Sequence, residues 1–186
     1  MEGALHDNIK VQEGDRRIMA APINNYMTPV MPDEEFVVFL TGMRINRWWK
    51  PWKWIRVMYD MPRMCRELQA NPEHGMMHFR YHVGFRQMMV VQYWKSFDHI
   101  HRWATSKTHT HLPAWRWMNK NVGLNGDVGT WHETYVVKRG CYEALYVNMP
   151  PHGLGNVGEL VEARGKHRTA RGRMGQGEDD WSDLGV

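Results

Sequence analysis

The chain has 186 residues, of which 42% are hydrophobic and 24% charged, with a formal net charge of +4. This length suits one domain with its own core and leaves little room for a second. No window approaches the ~20 consecutive apolar residues of a membrane span. The N-terminus also lacks the basic segment and apolar run of a secretory signal. We therefore expect a cytoplasmic protein without a membrane span.

The positive charge is concentrated near the C-terminus, in a segment rich in glycine and poor in apolar residues. Its basic residues are Arg164, Lys166, Arg168, Arg171 and Arg173. Such a composition is typical of a solvated, disordered terminus rather than of a nucleic-acid site. We predict that residues 153–186 form a disordered basic tail and that nucleic acid is not a partner.

No metal site is indicated by the cysteines or histidines. Cys65 and Cys141 form neither a CxxC motif nor a disulfide pattern. Four histidines cluster along the chain, but no pair has a cysteine or carboxylate at zinc spacing. These histidines are His99, His101, His109 and His111.

The N-terminal half predicts an arm, a strand, a helix and a hairpin. Residues 1–33 contain three prolines and little periodicity, which favours an extended arm that could lie over a partner subunit. A strand over residues 35–46 is apolar on both faces, so both faces should be covered. The helix predicted over residues 48–70 should bend or break at Pro62. Strands at 77–83 and 86–94 have hairpin spacing.

The C-terminal half predicts two helices and two strands. Ser96 is a suitable cap for a helix with Phe97 and Ile100 on one face. A second helix begins near Leu112, and strands over residues 126–137 and 142–150 flank a tight Lys-Arg-Gly connection.

The element order predicts an α+β fold, a ferredoxin-like split β-α-β sheet with one extra strand, over residues 34–152. Helices cover only one face of such a sheet, and here the other face is also apolar. A second copy packed face to face would bury it, making a homodimer and a dimeric α/β barrel with a cavity.

Five segments carry a resemblance to a known group of proteins. They are residues 39–46, 90–96, 111–115, 129–135 and 142–150. In order, they resemble the fumagillin-pathway monooxygenase-like family of the dimeric α/β-barrel group. That group includes antibiotic-biosynthesis monooxygenases, haem-degrading monooxygenases, chlorite dismutases and haem-dependent aldoxime dehydratases. The resemblance implies the barrel fold and, more loosely, oxygenase-like chemistry. The haem-degrading members place an Asn on the first strand, and a Trp and a His on the helical segment after the third strand. Asn46, Trp103 and either His111 or Trp115 occupy similar places in this chain.

His132 and His111 are the candidate catalytic bases or haem ligands. His132 lies in a strand whose side chains alternate, so either His132 and Thr134 or Trp131, Glu133 and Tyr135 face a cavity. His111 shares an apolar helical stripe with Trp115 and is alternatively a satisfied core residue.

Polar residues on other predicted strands complete the candidate site. Arg44 either pairs with a carboxylate or binds an anionic group such as a haem propionate, and Asn46 shares its face. Asn148 either donates a hydrogen bond to a substrate oxygen or caps the end of its strand. The substrate pocket is predicted from Trp94, Trp115, Met118 and Tyr146, which offer apolar lining.

These residues favour an enzyme that oxidises a hydrophobic small molecule in a barrel cavity. In some relatives of the fold no cofactor is needed, because the deprotonated substrate itself reacts with oxygen. A haem-dependent enzyme, either an aldoxime-dehydratase-like lyase or a haem monooxygenase, is the first alternative. A non-catalytic ligand-binding dimer is the second.

The aromatic run from Trp48 to Trp54 permits two interpretations. It imitates a helix that lies in a membrane interface. It also suits aromatic rings packed on the sheet with lysines reaching solvent, which we favour because the run continues into a helix the fold needs.

Overall fold

The computed structural model describes residues 23–177. The strands in this range are β1 (Asn24–Val30), β2 (Glu35–Ile45), β3 (Met76–Val83), β4 (Gln87–Trp94), β5 (Val128–Lys138), β6 (Tyr146–Met149) and β7 (Glu159–Glu162). The helices are α1 (Pro51–Ala70), α2 (Phe97–Thr105), α3 (His111–Asn121) and the single turn α4 (Ala170–Arg173). Both sheets are antiparallel.

The main sheet has the strand order β3-β4-β2-β5. This is the order of a ferredoxin-like sheet, so the predicted α+β fold with a split β-α-β sheet is confirmed. β2 is central, with Thr41 opposite Val90 on one side and His132 on the other. The helices cover the face of β2 that carries Phe39 and Thr41, and Leu40 on the other face is half-buried.

Helices α1, α2 and α3 cover one face of the main sheet. Val37, Trp94 and Leu68 are each at most 1% exposed in a core cluster that also includes residues of α2. α1 continues through Pro62, where we expected a bend or break. The proline removes one backbone hydrogen bond. Cys65 and Leu68, buried beyond it, hold the second half of the helix against the sheet.

A second sheet, with the order β6-β1-β7, differs from the predicted arrangement. β6 was expected beside β5, but it pairs with β1. Residues 24–30, expected in an extended arm, form the central strand β1 of this sheet. The cause is a separate apolar cluster around Met31, Phe36 and Leu154, which joins the second sheet to the main one.

The segment after residue 152 also differs from the disordered tail that composition suggested. Residues 153–177 contain β7, α4 and short 3-10 turns, and Leu154, Ala163 and Thr169 are buried. Arg173 on α4 pairs with Glu143, so part of the basic charge is used within the fold. The predicted arm residues 1–22 and tail residues 178–186 lie outside the described range.

Neither cysteine is bonded: Cys65 is buried in α1, and Cys141 is exposed after β5. Within residues 23–177, no helix combines the length and the apolar character needed to cross a bilayer.

Gly42 allows close packing at the centre of the main sheet. A Cβ atom there would lie 2.8 Å from the Met88 carbonyl oxygen and 2.8 Å from the Trp131 ring. We expect Gly42→Ala to lower the free energy of unfolding by about 1–3 kcal/mol, because the backbone carbonyl cannot move aside. Urea denaturation measures this loss. Gly84→Ala is the matched control, since its nearest neighbours lie at 3.6 and 3.8 Å. Equal stability of the two variants would contradict the packing at Gly42.

Candidate active site

A cavity of about 610 Å³ lies between the helix-covered face of the main sheet and helices α1, α2 and α3. Its floor comes from residues of β2, β4 and β5, and its roof from the inner faces of the helices. A cavity of several hundred cubic ångströms is typical of a small-molecule site. The wall is mainly apolar, and its large side chains include Phe39, Met61, Met64, Trp94, Trp103 and Trp115.

The orientation of β5 decides which of its side chains reach the cavity. His132 and Thr134 line it, whereas Glu133 and Tyr135 lie on the other face, bonded to each other at 2.6 Å. His132 is exposed, and its ring lies 5.7 Å from that of Phe39. His132 thus borders the cavity, whereas Glu133 and Tyr135 do not; Trp131, from the alternative set, also borders it.

The cavity has an open mouth between β5 and the helices α2 and α3. Its rim consists of wall residues that are also exposed to solvent, namely Phe97, His101, Trp115, Thr130, His132 and Thr134. His132 therefore lies at the mouth, and His111, which is half-buried, lies further in.

His111 has a fixed tautomer. Its Nδ1 lies 3.0 Å from the backbone carbonyl oxygen of Ala104. A carbonyl can only accept a hydrogen bond, so Nδ1 carries the proton and Nε2 of the neutral ring keeps its lone pair. Burial lowers the pKa of His111, and the Ala104 carbonyl opposes this only in part. At neutral pH the residue is therefore a neutral imidazole that can accept a proton.

Trp103 lies beside His111 in the wall. Their ring centroids are 5.2 Å apart, and Trp103 is 8% exposed. Its indole Nε1 is buried and meets no acceptor among the residues that the structure describes. A buried donor without a partner costs about 1–3 kcal/mol. A ligand oxygen that reached this nitrogen would remove that cost.

Gln92 places an oriented amide in the floor of the cavity. It is 4% exposed, and its Oε1 accepts a hydrogen bond of 2.9 Å from the indole N–H of Trp94. Because an indole N–H can only donate, this contact identifies the amide oxygen. The Nε2 end is left with a long contact of 3.9 Å to the sulfur of Cys65. Gln92 thus has donor capacity to offer a ligand.

Glu67 fixes the start of α3, the helix that carries His111. It accepts hydrogen bonds from the backbone N–H and the hydroxyl of Thr110, and it pairs with His109 at 2.8 Å. Burial acts to raise the pKa of Glu67, but the bonds from Thr110 and His109 outweigh it, so the pKa is lowered. At the other end of α3, the Asn121 carbonyl accepts a hydrogen bond from Lys53. Both ends of α3 are thereby tied to α1.

Four of the predicted site residues do not line the cavity. Arg44 is exposed on the sheet face away from the helices and donates to Asn46 at 2.8 Å. Asn148 is exposed on β6 with a φ of 51°. Tyr146, predicted in the pocket, packs beside Gly153 and Gly155. The structure brings together His111, His132, Trp94, Trp115 and Met118.

The charged groups of the wall are few. Asp60 of α1 is 7% exposed and forms ion pairs with Arg56 and Arg63. Among the described lining residues there is no Lys or Arg. Within residues 23–177, no three His, Cys, Asp or Glu side chains are placed to hold a metal ion. Neither Asp60 nor Glu67 was identified as a functional residue from the sequence. An acid between Val57 and Met61 on an apolar stripe was the available signal for Asp60.

Comparison with known proteins identifies a family over most of this domain. A family model described as monooxygenase af470-like matches residues 36–154, more than half of the chain. Monooxygenase af470 of Aspergillus fumigatus is 34% identical over 67 residues, which are 36% of this chain and 23% of that protein. The chain thus spans about a quarter of the length of this curated relative.

Solved structures resemble this chain at low sequence identity. Aldoxime dehydratase OxdRE, crystallised with butyraldoxime, superposes with a TM-score of 0.56 at 20% identity, covering 84% of this chain and 43% of that one. SnoaB, a cofactor-independent oxygenase from Streptomyces nogalater, gives a TM-score of 0.40 at 10% identity, covering 54% and 91%.

Proposed function

This chain belongs to the monooxygenase af470-like family, and from that premise we propose that it oxidises a hydrophobic small molecule in the cavity described above. The observation that carries the proposal is His111, a half-buried imidazole in the cavity wall with its proton fixed on Nδ1. Such a group is a suitable general base near neutral pH. The apolar wall favours a substrate that is itself largely apolar.

The chemistry we propose needs no cofactor. His111 Nε2 removes a proton from an activated methylene of the substrate, and the resulting carbanion reacts with O₂. The methylene becomes a carbonyl, one oxygen atom enters the product, and the other leaves as water. The substrate supplies all four electrons, so atoms and electrons balance without an external reductant. The substrate class is therefore a compound whose methylene is acidified by neighbouring carbonyl or aromatic groups.

Gln92 and Trp103 are suited to hold the oxygen on which charge develops after deprotonation. Both side chains are more than nine-tenths buried in the cavity wall, and both have an N–H with no strong acceptor in the described part of the chain. Fixed donors in a water-poor site stabilise a developing oxyanion more than water does. His132 at the mouth is the second candidate base.

An oxygen-electrode assay tests this function. Purified protein is mixed with a panel of phenols, anthrone-like ketones and aldoximes without added cofactor. We expect O₂ uptake and product to appear in equal amounts for at least one compound with an acidified methylene. Binding of such compounds without O₂ uptake would instead support a non-catalytic ligand-binding protein.

A haem-dependent enzyme is a second candidate, favoured by the same histidine. An imidazole whose Nδ1–H donates to a carbonyl is a common arrangement for a metal-ligating Nε2. His111 would therefore hold haem iron through Nε2, and haem would supply a reactive metal centre for aldoxime-dehydratase-like chemistry. The described wall offers no Lys or Arg to the haem carboxylates, so the fit is confined to the iron.

An absorption spectrum before and after addition of hemin distinguishes the two candidates. A sharp Soret band that is lost in His111→Ala would establish the haem enzyme and its ligand. A protein that stays colourless with hemin and still consumes O₂ would establish the cofactor-free reaction.

We also propose that two copies pack through the sheet face that points away from the helices. Leu40, Met89 and Val91 on this face are half-buried, and Trp131 and Tyr135 remain 37% and 50% exposed. An apolar face of this kind is commonly covered by a second subunit. We expect the mass in solution to be that of a dimer, and Leu40→Lys to give a monomer. A monomeric wild-type protein would contradict this assembly.

A further inference from the structure

Large apolar side chains are exposed together on the outer side of α1 and in the loop before it, so the expected packing of these rings on the sheet is wrong for Trp49 and Trp52. Trp49 is 69% exposed, Trp52 64%, Ile55 40% and Tyr59 67%. Phe85, at the tip of the β3–β4 hairpin, is 87% exposed. Its ring lies 5.5 Å from that of Trp48, which connects the hairpin tip to the same area. We refer to Trp48, Trp49, Trp52, Ile55, Tyr59 and Phe85 as the aromatic surface.

Helical geometry explains why these side chains are not part of the core. Trp52, Ile55 and Tyr59 follow one another at spacings of three and four residues, so they share one face of α1. The opposite face of the helix lines the cavity with Val57, Met61 and Met64. α1 is therefore apolar on two sides, and the aromatic surface is the side that neither the sheet nor the cavity uses.

The same segment is strongly basic. Residues 44–66 contain seven Lys or Arg residues and one acidic residue, Asp60. The basic residues are Arg44, Arg47, Lys50, Lys53, Arg56, Arg63 and Arg66. Asp60 is 7% exposed and so contributes little to the surface. Arg44 extends from the other face of the sheet, and Asp60 and Asp127 each pair with two of the remaining basic residues. Basic groups still outnumber acidic ones beside the aromatic surface, and this excess complements an anionic partner.

The loop that carries Trp48 and Trp49 is held in place by a buried carboxylate. Asp127 is 1% exposed and pairs with Arg47 at 2.8 Å and with Lys50 at 2.9 Å. The hydrogen bonds and charges of Lys50 and Arg47 lower the pKa of Asp127 against the opposing effect of burial. The two tryptophans are thus presented by a fixed loop rather than by a mobile one.

We propose that the aromatic surface binds the surface of a bilayer that contains anionic lipids, with α1 lying parallel to the membrane plane. Tryptophan and tyrosine rings favour the boundary between headgroups and acyl chains. Lys and Arg beside them are attracted to anionic headgroups. The outer side of α1 carries both aromatic and basic side chains.

A second copy of this chain fits the surface less well. In a twofold interface the same residues of the two copies face each other. The basic residues beside the aromatic surface of one copy would then approach those of the other with only the buried Asp60 and Asp127 to offset them, which is unfavourable. An anionic lipid surface complements both the aromatic side chains and the basic residues.

Membrane binding would bring α1 between the lipid and the cavity. Its outer side would contact acyl chains while Val57, Met61 and Met64 remain in the cavity wall. This position suits a protein whose ligand is apolar and accumulates in lipid. The inference concerns binding alone and does not depend on the reaction proposed above.

Sedimentation with lipid vesicles tests the proposal. The full chain is mixed with vesicles of phosphatidylcholine alone or of phosphatidylcholine with phosphatidylserine. We expect binding to the anionic vesicles that weakens as the ionic strength is raised, because screening reduces the electrostatic part. Absence of binding to the anionic vesicles would overturn the proposal.

Substitutions identify the surface responsible. We expect Trp49→Ser with Trp52→Ser to reduce the partition coefficient about tenfold or more, since two large apolar side chains no longer enter the interface. Arg63→Gln with Arg66→Gln should reduce binding to anionic vesicles only. Val147→Ser is the matched control, because Val147 is 49% exposed on β6. Vesicle binding that is the same in the tryptophan variant and the control would contradict the proposal. So would a self-association that only the tryptophan variant loses.

Discussion

Replacing His111 by alanine is expected to lower kcat/KM by about a hundredfold to ten-thousandfold, the usual contribution of a positioned general base. The reason is the geometry at Ala104, whose carbonyl fixes the proton on Nδ1 and leaves Nε2 to accept the substrate proton. Steady-state O₂ uptake on an active substrate measures the loss. Added imidazole should restore part of the activity by occupying the space that the side chain leaves.

The pH profile gives an independent test of the same residue. Burial lowers the pKa of His111 below its ordinary value of 6.5. The base acts in its neutral form, so kcat/KM should be constant at neutral pH and fall only as the pH drops through this lowered value. His111→Ala should lose that acidic limb.

Two further variants make the assignment of His111 falsifiable. His167→Ala is the control, because His167 lies in the short 3-10 turn Gly165–His167 and does not line the cavity. His132→Ala tests the second base. Loss of activity in His132→Ala alone would move the base to the cavity mouth. Full activity in both His111→Ala and His132→Ala would show that the site is elsewhere.

The second large effect concerns stability and the junction of the two sheets. We expect Phe36→Ala to lower the free energy of unfolding by about 3–5 kcal/mol, as is usual for a buried aromatic side chain. Phe36 is 1% exposed, packs with Met31 and Leu154, and meets Tyr142 edge-on at 5.2 Å between ring centroids. Urea unfolding followed by circular dichroism measures the change.

Val136→Ala provides the comparison for this loss. Val136 lies in the neighbouring strand β5 and is 53% exposed, so its truncation should change stability by less than about 0.5 kcal/mol. Phe36 does not line the cavity, and Phe36→Ala should therefore still bind ligand at temperatures where it is folded. A loss no greater than that of Val136→Ala would mean that the second sheet does not depend on this cluster.

The main sheet could be predicted because its signals are local. The continuous apolar run of β2 and the hairpin spacing of β3 and β4 each lie within a short stretch of the chain. The pairing of β6 with β1 could not be predicted in this way. It joins Tyr26 to Val147, more than a hundred residues apart, and depends on the cluster around Phe36.

The candidate site was predictable in residue type but not in geometry. A histidine on β5 and another at the start of α3 were recognisable as polar groups in apolar stretches. The tautomer of His111 depends on the Ala104 carbonyl at the end of another helix, which no local pattern encodes. Arg44 is likewise a polar residue in an apolar strand, but it extends from the face of the sheet away from the helices. Its exclusion from the cavity could not be predicted, because the sequence does not say which face the helices cover.

The attachment of α3 to α1 at both ends has a kinetic consequence. Glu67 holds Thr110 at one end and Lys53 holds Asn121 at the other, so the two helices should move as one body. We therefore expect a ligand to enter at the mouth between β5 and the helices α2 and α3 rather than between α1 and α3. Rotation of the Trp115 and His132 side chains would then set the rate at which a ligand exchanges with bulk solvent. Substitutions at those two positions would change how long a product stays bound.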